Sequence, residues 1–439
     1  MSEPRKASSP VSPAVSRRGF VATIGAAAGT ASGLMVHSSL AAAESPRHLR
    51  LALVGCGGRG GGAINDSLTI NDNVSFVAAA DLYVDKCASL RKAMTEAHAG
   101  KVALADSAMH GGLDGYKRVL EDPNVDVVLL AASPGFRPIH VREAIDAGKH
   151  VFAEKPACVD PAGYRACLAA HEAAVAKGLS VVGGTQYRRQ VNYIGAIEQI
   201  RSGAIGEIIG ATARYCAGGI WFRARTPGMS DAEYQLNNWM HHVWLSGDQI
   251  VEQAVHNLDA MNWVMGAPPV SAFGSGGRFT RPEDSEMWDS VSLDYEYPGN
   301  RVLSFMCRQI PGAAVDVGNV IHGTRGSCHI GAANAGSQIF DRSGNQVWEM
   351  EGSIADAYKQ EHKDLIDSIR AGKPIVELAQ MADSSLTAVL GRVAAYTGQK
   401  VTWEFLTKES KLDLFPKDLT WESSLPKPQY AIPGRTKLV

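Results

Sequence analysis

The stretch Leu49 to Gly62, LRLALVGCGGRGGG, restricts the fold more than any other part of the chain. Leu49–Gly55 is a short apolar run of the buried-strand kind. Gly55-Cys56-Gly57-Gly58-Arg59-Gly60 then spells GxGxxG and leads into a helical stretch from Ala63 to Ile70. Between a strand and a helix, each glycine has a task. Gly55 makes the tight turn, Gly57 lets the backbone approach a pyrophosphate, and Gly60 lets helix and strand pack closely. The first N–H groups of the helix face the phosphates. Asp81 ends a second strand, Val74–Asp81, about 20 residues further on, where a carboxylate can accept from a ribose diol. A 2′-phosphate would meet that negative charge, so the expected coenzyme is NAD. Arg59 in the turn and Ser133, after the strand in DPNVDVVLLAAS, complete the coenzyme contacts on this half.

Strands and helices continue to alternate through HVREAIDAGKHVFAEKP, which predicts a parallel, doubly wound domain. A helix is expected over 161–177, with Pro161 at its start and Gly178 past its end. After Ile208 the pattern changes. EIIGATARYC, SVSLDYEY, RVLSFMCRQI and GSCHIG read as strands of a mostly antiparallel sheet, and helices are expected over 356–371 and 381–398. The expected fold class is therefore α/β: an N-terminal Rossmann domain over 47–170 and a C-terminal α+β domain with an open-faced sheet over 171–405. A tail occupies 406–439. The net charge of −2 offers no basic field for nucleic acid. Seven cysteines without a CxxC argue against a disulfide scaffold or a cysteine zinc site.

Two further segments give the chain a family resemblance. AGKHVFAEKP ends in Glu154-Lys155-Pro156, and GDQIVEQAVHNLDAMNWVMG carries His256, Asp259, Trp263 and Gly266. With the glycine turn, these motifs resemble the glucose–fructose oxidoreductase / inositol dehydrogenase family, Gfo/Idh/MocA. The resemblance covers nearly all of the chain after the leader. It implies that Lys155 sits beside the nicotinamide and the substrate hydroxyl, that the bond to Pro156 is cis, and that Glu154 belongs to the coenzyme site. An ammonium there stabilises a developing alkoxide. The family's Asp-x-x-x-His-x-x-Asp is met here by Glu252, His256 and Asp259, so the first acid is a glutamate. On one helix all three would share a face. His256, held by a carboxylate, is the expected general base, and Glu252 either contacts the sugar or pairs with the histidine. GGTQYRRQ places Tyr187 and Arg188 as substrate contacts. Trp239 and His242, in an insert rich in amides and indoles, and Asp259 extend that surface, since indole faces suit sugar C–H groups. His241, His242, Glu252, His256 and Asp259 lack a standard metal spacing, and no metal is expected. Relatives with this sheet often pack it face to face, which implies a homo-oligomer.

Upstream, Ser16-Arg17-Arg18-Gly19-Phe20 precedes a weakly apolar run that ends in SSLAAAES. This resembles a twin-arginine export signal over residues 1–43, cleaved before Glu44. The expected location is the periplasm, reached in the folded state, with no integral membrane span after cleavage. No soluble coenzyme pool is expected there, so NAD would have to travel bound and be reoxidised in place. Glucose–fructose oxidoreductase uses an N-terminal arm to retain its coenzyme. Cleavage at this point would leave about five residues before Leu49, too short for such an arm, which assigns retention to the insert Trp221–Trp244. The expected function is NAD-dependent oxidation of a secondary hydroxyl of a sugar, polyol or glycoside. The alternatives are a redox-neutral, NAD-dependent cleavage of glycosides and a non-catalytic sugar-binding protein.

Overall fold

The computed structural model describes residues 47–439; the expected export signal lies outside the described residues. The first half is a six-stranded parallel sheet. Its strands are β1 (Leu49–Val54), β2 (Val74–Asp81), β3 (Met109–Gly111), β4 (Val127–Leu130), β5 (His150–Ala153) and β6 (Val181–Gly183), in the order β3-β2-β1-β4-β5-β6. The two central strands, β1 and β4, carry apolar side chains on both faces because helices cover both, and Leu51, Leu53, Val127 and Val128 are fully buried. The order reverses between β1 and β4, and a crevice opens at their carboxyl ends. Gly55, Ser133 and Glu154 follow β1, β4 and β5, so all three are delivered to that crevice.

The helix Pro161–Lys177 has the expected bounds, capped by the Asp160 carboxylate at one end and by Gly178 in the left-handed region at the other. The expected domain boundary at 170 falls inside this helix, and the parallel sheet runs on to β6. Val151, Phe152 and Ala153 of β5 pair with Val181, Val182 and Gly183, which makes β6 the edge strand.

The second half is a nine-stranded mixed sheet. Its strands are β7 (Ile208–Ala217), β8 (Ser271–Gly277), β9 (Ser290–Tyr297), β10 (Arg301–Gln309), β11 (Asp316–Gly323), β12 (Gly326–Gly331), β13 (Ser337–Asp341), β14 (Gln346–Met350) and β15 (Val401–Thr402). Their order is β14-β13-β12-β11-β7-β10-β9-β8-β15, and only β7 and β10 run parallel. Along β10, Leu303, Phe305 and Cys307 are buried while Val302, Ser304 and Met306 are exposed, the period-two pattern of a sheet covered on one side. The helices Val255–Met265 and Leu378–Thr397 supply that cover, and the first of them carries His256 and Asp259. All seven cysteines are free and buried, in keeping with their reading as small apolar residues.

Candidate active site

The glycine turn has the shape its sequence calls for. Gly55 has φ +97°, and a Cβ there would lie 2.6 Å from the Ala131 carbonyl carbon; a Cβ on Gly60 would strike the Gly55 carbonyl oxygen. Gly57 and Gly58, by contrast, face open space. Two glycines are thus required by packing, and two leave room for a ligand, which is the division a pyrophosphate needs. Beside the turn, the Asp81 carboxylate accepts from the backbone N–H groups of Cys56 (2.8 Å) and Tyr83 (3.1 Å), with the Lys86 ammonium 3.4 Å away. These bonds aim it across the crevice mouth.

From there a cavity of about 830 Å³ runs to the second domain. Nine of the expected residues beyond the glycines line it: Arg59, Asp81, Ser133, Glu154, Lys155, Tyr187, Trp239, Glu252 and His256. Arg59 reaches back to Glu154 at 2.5 Å and lies over the Tyr358 ring, 4.5 Å from its centroid. The Lys155–Pro156 bond is cis. Lys155 donates to Glu252 twice, to the carboxylate at 3.0 Å and to the backbone carbonyl at 2.5 Å. The second Glu252 oxygen accepts from Gln253 Nε2 at 2.5 Å, and Gln253 Oε1 accepts from the Tyr215 hydroxyl at 2.8 Å. A continuous hydrogen-bonded row, Lys155–Glu252–Gln253–Tyr215, therefore stands along the cavity.

His256 faces the same space under different conditions from those expected. The helix predicted across all three motif residues is broken at Gln253 and Ala254, between a short helix Gln249–Glu252 and the helix Val255–Met265. Glu252 turns to the lysine and not to the histidine, while still lining the cavity. Asp259 is also committed elsewhere. It is 1% exposed and accepts from Arg188 through Nε (2.9 Å) and Nη2 (2.9 Å), from Gln380 (2.5 Å) and from Ser384 (2.6 Å). Among the described residues no carboxylate bonds to His256, and its Nδ1 is buried without a hydrogen-bond partner. Burial, followed by the Lys155 and Arg59 charges, holds its pKa well below the ordinary imidazole value. The ring is neutral and 5.4 Å from that of Tyr187.

Three expected substrate contacts lie away from the cavity wall. Arg188 and Asp259 form the buried pair just described, with the guanidinium 5.1 Å from the Trp263 ring. That pair ties the loop after β6 to two helices. His242 is fully buried with neither ring nitrogen hydrogen-bonded, and burial lowers its pKa to about 3. His241 binds Ser285 and the Trp221 carbonyl, so the possible metal ligands of the insert and the helix are not brought together. Among the described residues, no group of three or more His, Cys, Asp or Glu could hold a metal ion. Trp239 lines the cavity but shares an apolar cluster with Leu82 and Leu113, next to Asp81, rather than with Lys155. Sequence reading missed Tyr215, Gln253 and Tyr358. Gln253 adjoins a motif residue; the others had no local signal, since Tyr215 sits in an ordinary strand pattern and Tyr358 on an amphipathic helix.

Residues 49–182 match the oxidoreductase family with an NAD-binding Rossmann fold, and residues 193–329 match the GFO/IDH/MocA C-terminal domain. The chain belongs to the GFO/IDH/MocA oxidoreductases. It is 24% identical over 361 residues to inositol 2-dehydrogenase 3 of Saccharopolyspora erythraea, covering 81% of this chain and 90% of that one. It is 25% identical over 265 residues to the scyllo-inositol 2-dehydrogenase (NAD(+)) of Bacillus subtilis, 59% of this chain and 72% of that one. Among solved structures, a levoglucosan dehydrogenase complex with NADH superposes with a TM-score of 0.65 at 16% identity, covering 81% of this chain and 99% of that one. At that identity the likeness concerns the fold. As a GFO/IDH/MocA enzyme, the chain is an NAD-binding oxidoreductase acting on CH–OH groups, built as a Rossmann domain joined to a mostly antiparallel sheet.

Proposed function

We propose that the protein oxidises a secondary hydroxyl of a sugar or polyol with a tightly held NAD that is recycled on the enzyme. The observation that carries this reading is the meeting of Lys155 and His256 in one cavity with the glycine turn and Asp81. When bound, NAD supplies the hydride acceptor. Gly57, Gly58 and Asp81 would hold it, and Lys155, fixed by Glu252, would donate to the substrate oxygen and stabilise charge developing there. His256, kept neutral, takes the hydroxyl proton on a ring nitrogen. Tyr215 and Gln253 keep the lysine's partner from rotating away.

The sequence of residues 16–20 supports export in the folded state to the periplasm, and export in turn requires a captive coenzyme. Exposed Ile209, Phe273, Val302 and Met306 on the open face of the nine-stranded sheet support a homo-oligomer. No helix among the described residues is long and apolar enough to cross a membrane.

Two measurements test the reading. Purified protein is heat-denatured and the released nucleotide identified; NAD or NADH is expected, and empty protein would remove the captive-coenzyme reading. A panel of inositols and aldoses is then added to loaded enzyme without acceptor. NADH absorbance should appear and persist. Transient absorbance with release of a cleaved glycoside would favour the redox-neutral cycle. Silence with every substrate, together with unchanged binding in Lys155→Ala, would favour a sugar-binding protein.

A further inference from the structure

Residues 411–439 contain no helix or strand, yet they are fastened along their length. At the start, Leu414 N–H donates to Asp160 at 2.8 Å, and Ala162 N–H donates to the Leu412 carbonyl at 3.3 Å. Phe415 then stands edge-on to two rings, Phe136 at 5.2 Å and Trp244 at 5.7 Å. Trp421 stands edge-on to Tyr83 at 5.5 Å, while its carbonyl accepts from Ser230 at 2.5 Å. Ser424 donates to Asp231 at 3.0 Å, and the Ser423 carbonyl accepts from Ala232 N–H at 3.2 Å. The tail therefore grips two bodies at once. Phe136, Asp160 and Tyr83 belong to the coenzyme domain; Ser230 to Trp244 belong to the insert.

Those two bodies are the opposite walls of one end of the cavity. Leu82 and Leu113 line it from the coenzyme domain, Leu236 and Trp239 from the insert. All four share an apolar cluster with Leu414, Phe415, Leu419, Trp421 and Leu425 of the tail. The seam is also latched by Asn237, which donates to the Tyr83 hydroxyl at 2.7 Å. Leu82 and Tyr83 directly follow Asp81, so the closed end is the one that receives the adenosine half of a dinucleotide.

We infer that residues 411–439 are a coenzyme-retaining strap. They bind the insert to the Rossmann domain behind the wall of the adenosine end, and a dinucleotide enters or leaves only when the strap lets go. The inference rests on the captive-NAD reading and assigns its structural cause: the insert is one wall, and the tail is what holds that wall shut. A gate of this kind slows entry and exit together, whereas a contact with the ligand slows exit alone.

The test uses the full chain and a Phe415→Ala/Trp421→Ala variant. Each is loaded with NADH and mixed with excess NAD⁺, and loss of bound-NADH fluorescence gives the dissociation rate; association is measured separately by mixing stripped protein with NADH. The strap predicts that both rates rise at least about tenfold in the variant, with the far-ultraviolet circular dichroism unchanged. Trp421→Ala alone, with a smaller rise in both, serves if the double variant does not fold. An unchanged dissociation rate, or a slowed association, overturns the strap. Rapid NADH loss from the parent protein overturns tight retention instead, and the ratio between variant and parent still decides the role of the tail.

Discussion

Glu252 decides how Lys155 and His256 can share their work. Its side chain is one methylene longer than the aspartate of the family motif, and it ends on the ammonium instead of the imidazole. The lysine is thus ion-paired and aimed, while the histidine stays uncharged next to two cations. Glu252→Gln keeps a hydrogen-bond acceptor for the ammonium and removes the charge. The expected result is a fall in kcat of about a hundredfold with a much smaller change in substrate KM, read by steady-state kinetics. Because the pKa of His256 is depressed, the acidic limb of kcat/KM should lie below the ordinary imidazole range, and Glu252→Gln should push it lower still, since the Lys155 charge then acts unopposed. An acidic limb at the ordinary imidazole value would exclude His256 as the base. At the other end of the cavity, Asp81 sets coenzyme choice. Asp81→Ala removes the repulsion toward a 2′-phosphate and frees Lys86, 3.4 Å away, to meet one. The ratio of kcat/KM for NADP over NAD should rise at least about tenfold; an unchanged ratio would mean that Asp81 does not face the ribose.

At the scale of elements, the pair Arg188–Asp259 joins the loop after β6 to the helix Val255–Met265, and Gln380 and Ser384 bring in the helix Leu378–Thr397. Asp259→Ala would leave a guanidinium with 18% side-chain exposure unpaired among three elements. A loss of about 3–5 kcal/mol is expected in urea unfolding, with Asp259→Asn losing less because it keeps part of the hydrogen bonding. A loss below about 1 kcal/mol would show the pair to be dispensable. This pair also marks where sequence reading stopped. The turn, β1, β2 and the helix Pro161–Lys177 were legible, because periodicity, glycines and caps act within a few residues. So was the set Lys155, Glu252 and His256, through its motifs. The partner each chose was not, because side chains compete across the fold: Lys155 took Glu252, and Arg188 took Asp259. The break at Gln253 was hidden for the same reason, since the lysine also takes the backbone carbonyl of Glu252. The role of the tail was not legible, because the contacts that fasten it to Asp160, Phe136, Tyr83 and the insert are distant in sequence.

Over the whole molecule, acid stability follows from histidines buried without a partner. His140 lies between the rings of Tyr116 (4.0 Å) and Phe136 (5.6 Å), and His362 against Phe152 (4.2 Å). Burial pushes the pKa values of His140, His242 and His362 down to about 3. In the unfolded chain each binds a proton below about pH 6.5, and in the folded chain it does not. Folding therefore loses stability as pH falls, at about 1.4 kcal/mol per pH unit for each such group. Buried carboxyls act in the opposite sense over part of the range. Burial raises the pKa of Glu361 well above its usual value, so the folded state keeps a proton that the unfolded state gives up. That effect offsets one of the three histidines between about pH 6.5 and 4.5, and vanishes below it, where both states are protonated. From about pH 4.5 to 3 the three histidines act together, at about 4 kcal/mol per pH unit. Urea midpoints measured across pH should fall from about pH 6.5 downward and more steeply below about pH 4.5. His140→Phe and His362→Phe keep ring packing and remove one proton site each, so each should lessen the slope by about 1.4 kcal/mol per pH unit. An unchanged slope in both variants would place the acid sensitivity elsewhere, in the surface ion pairs.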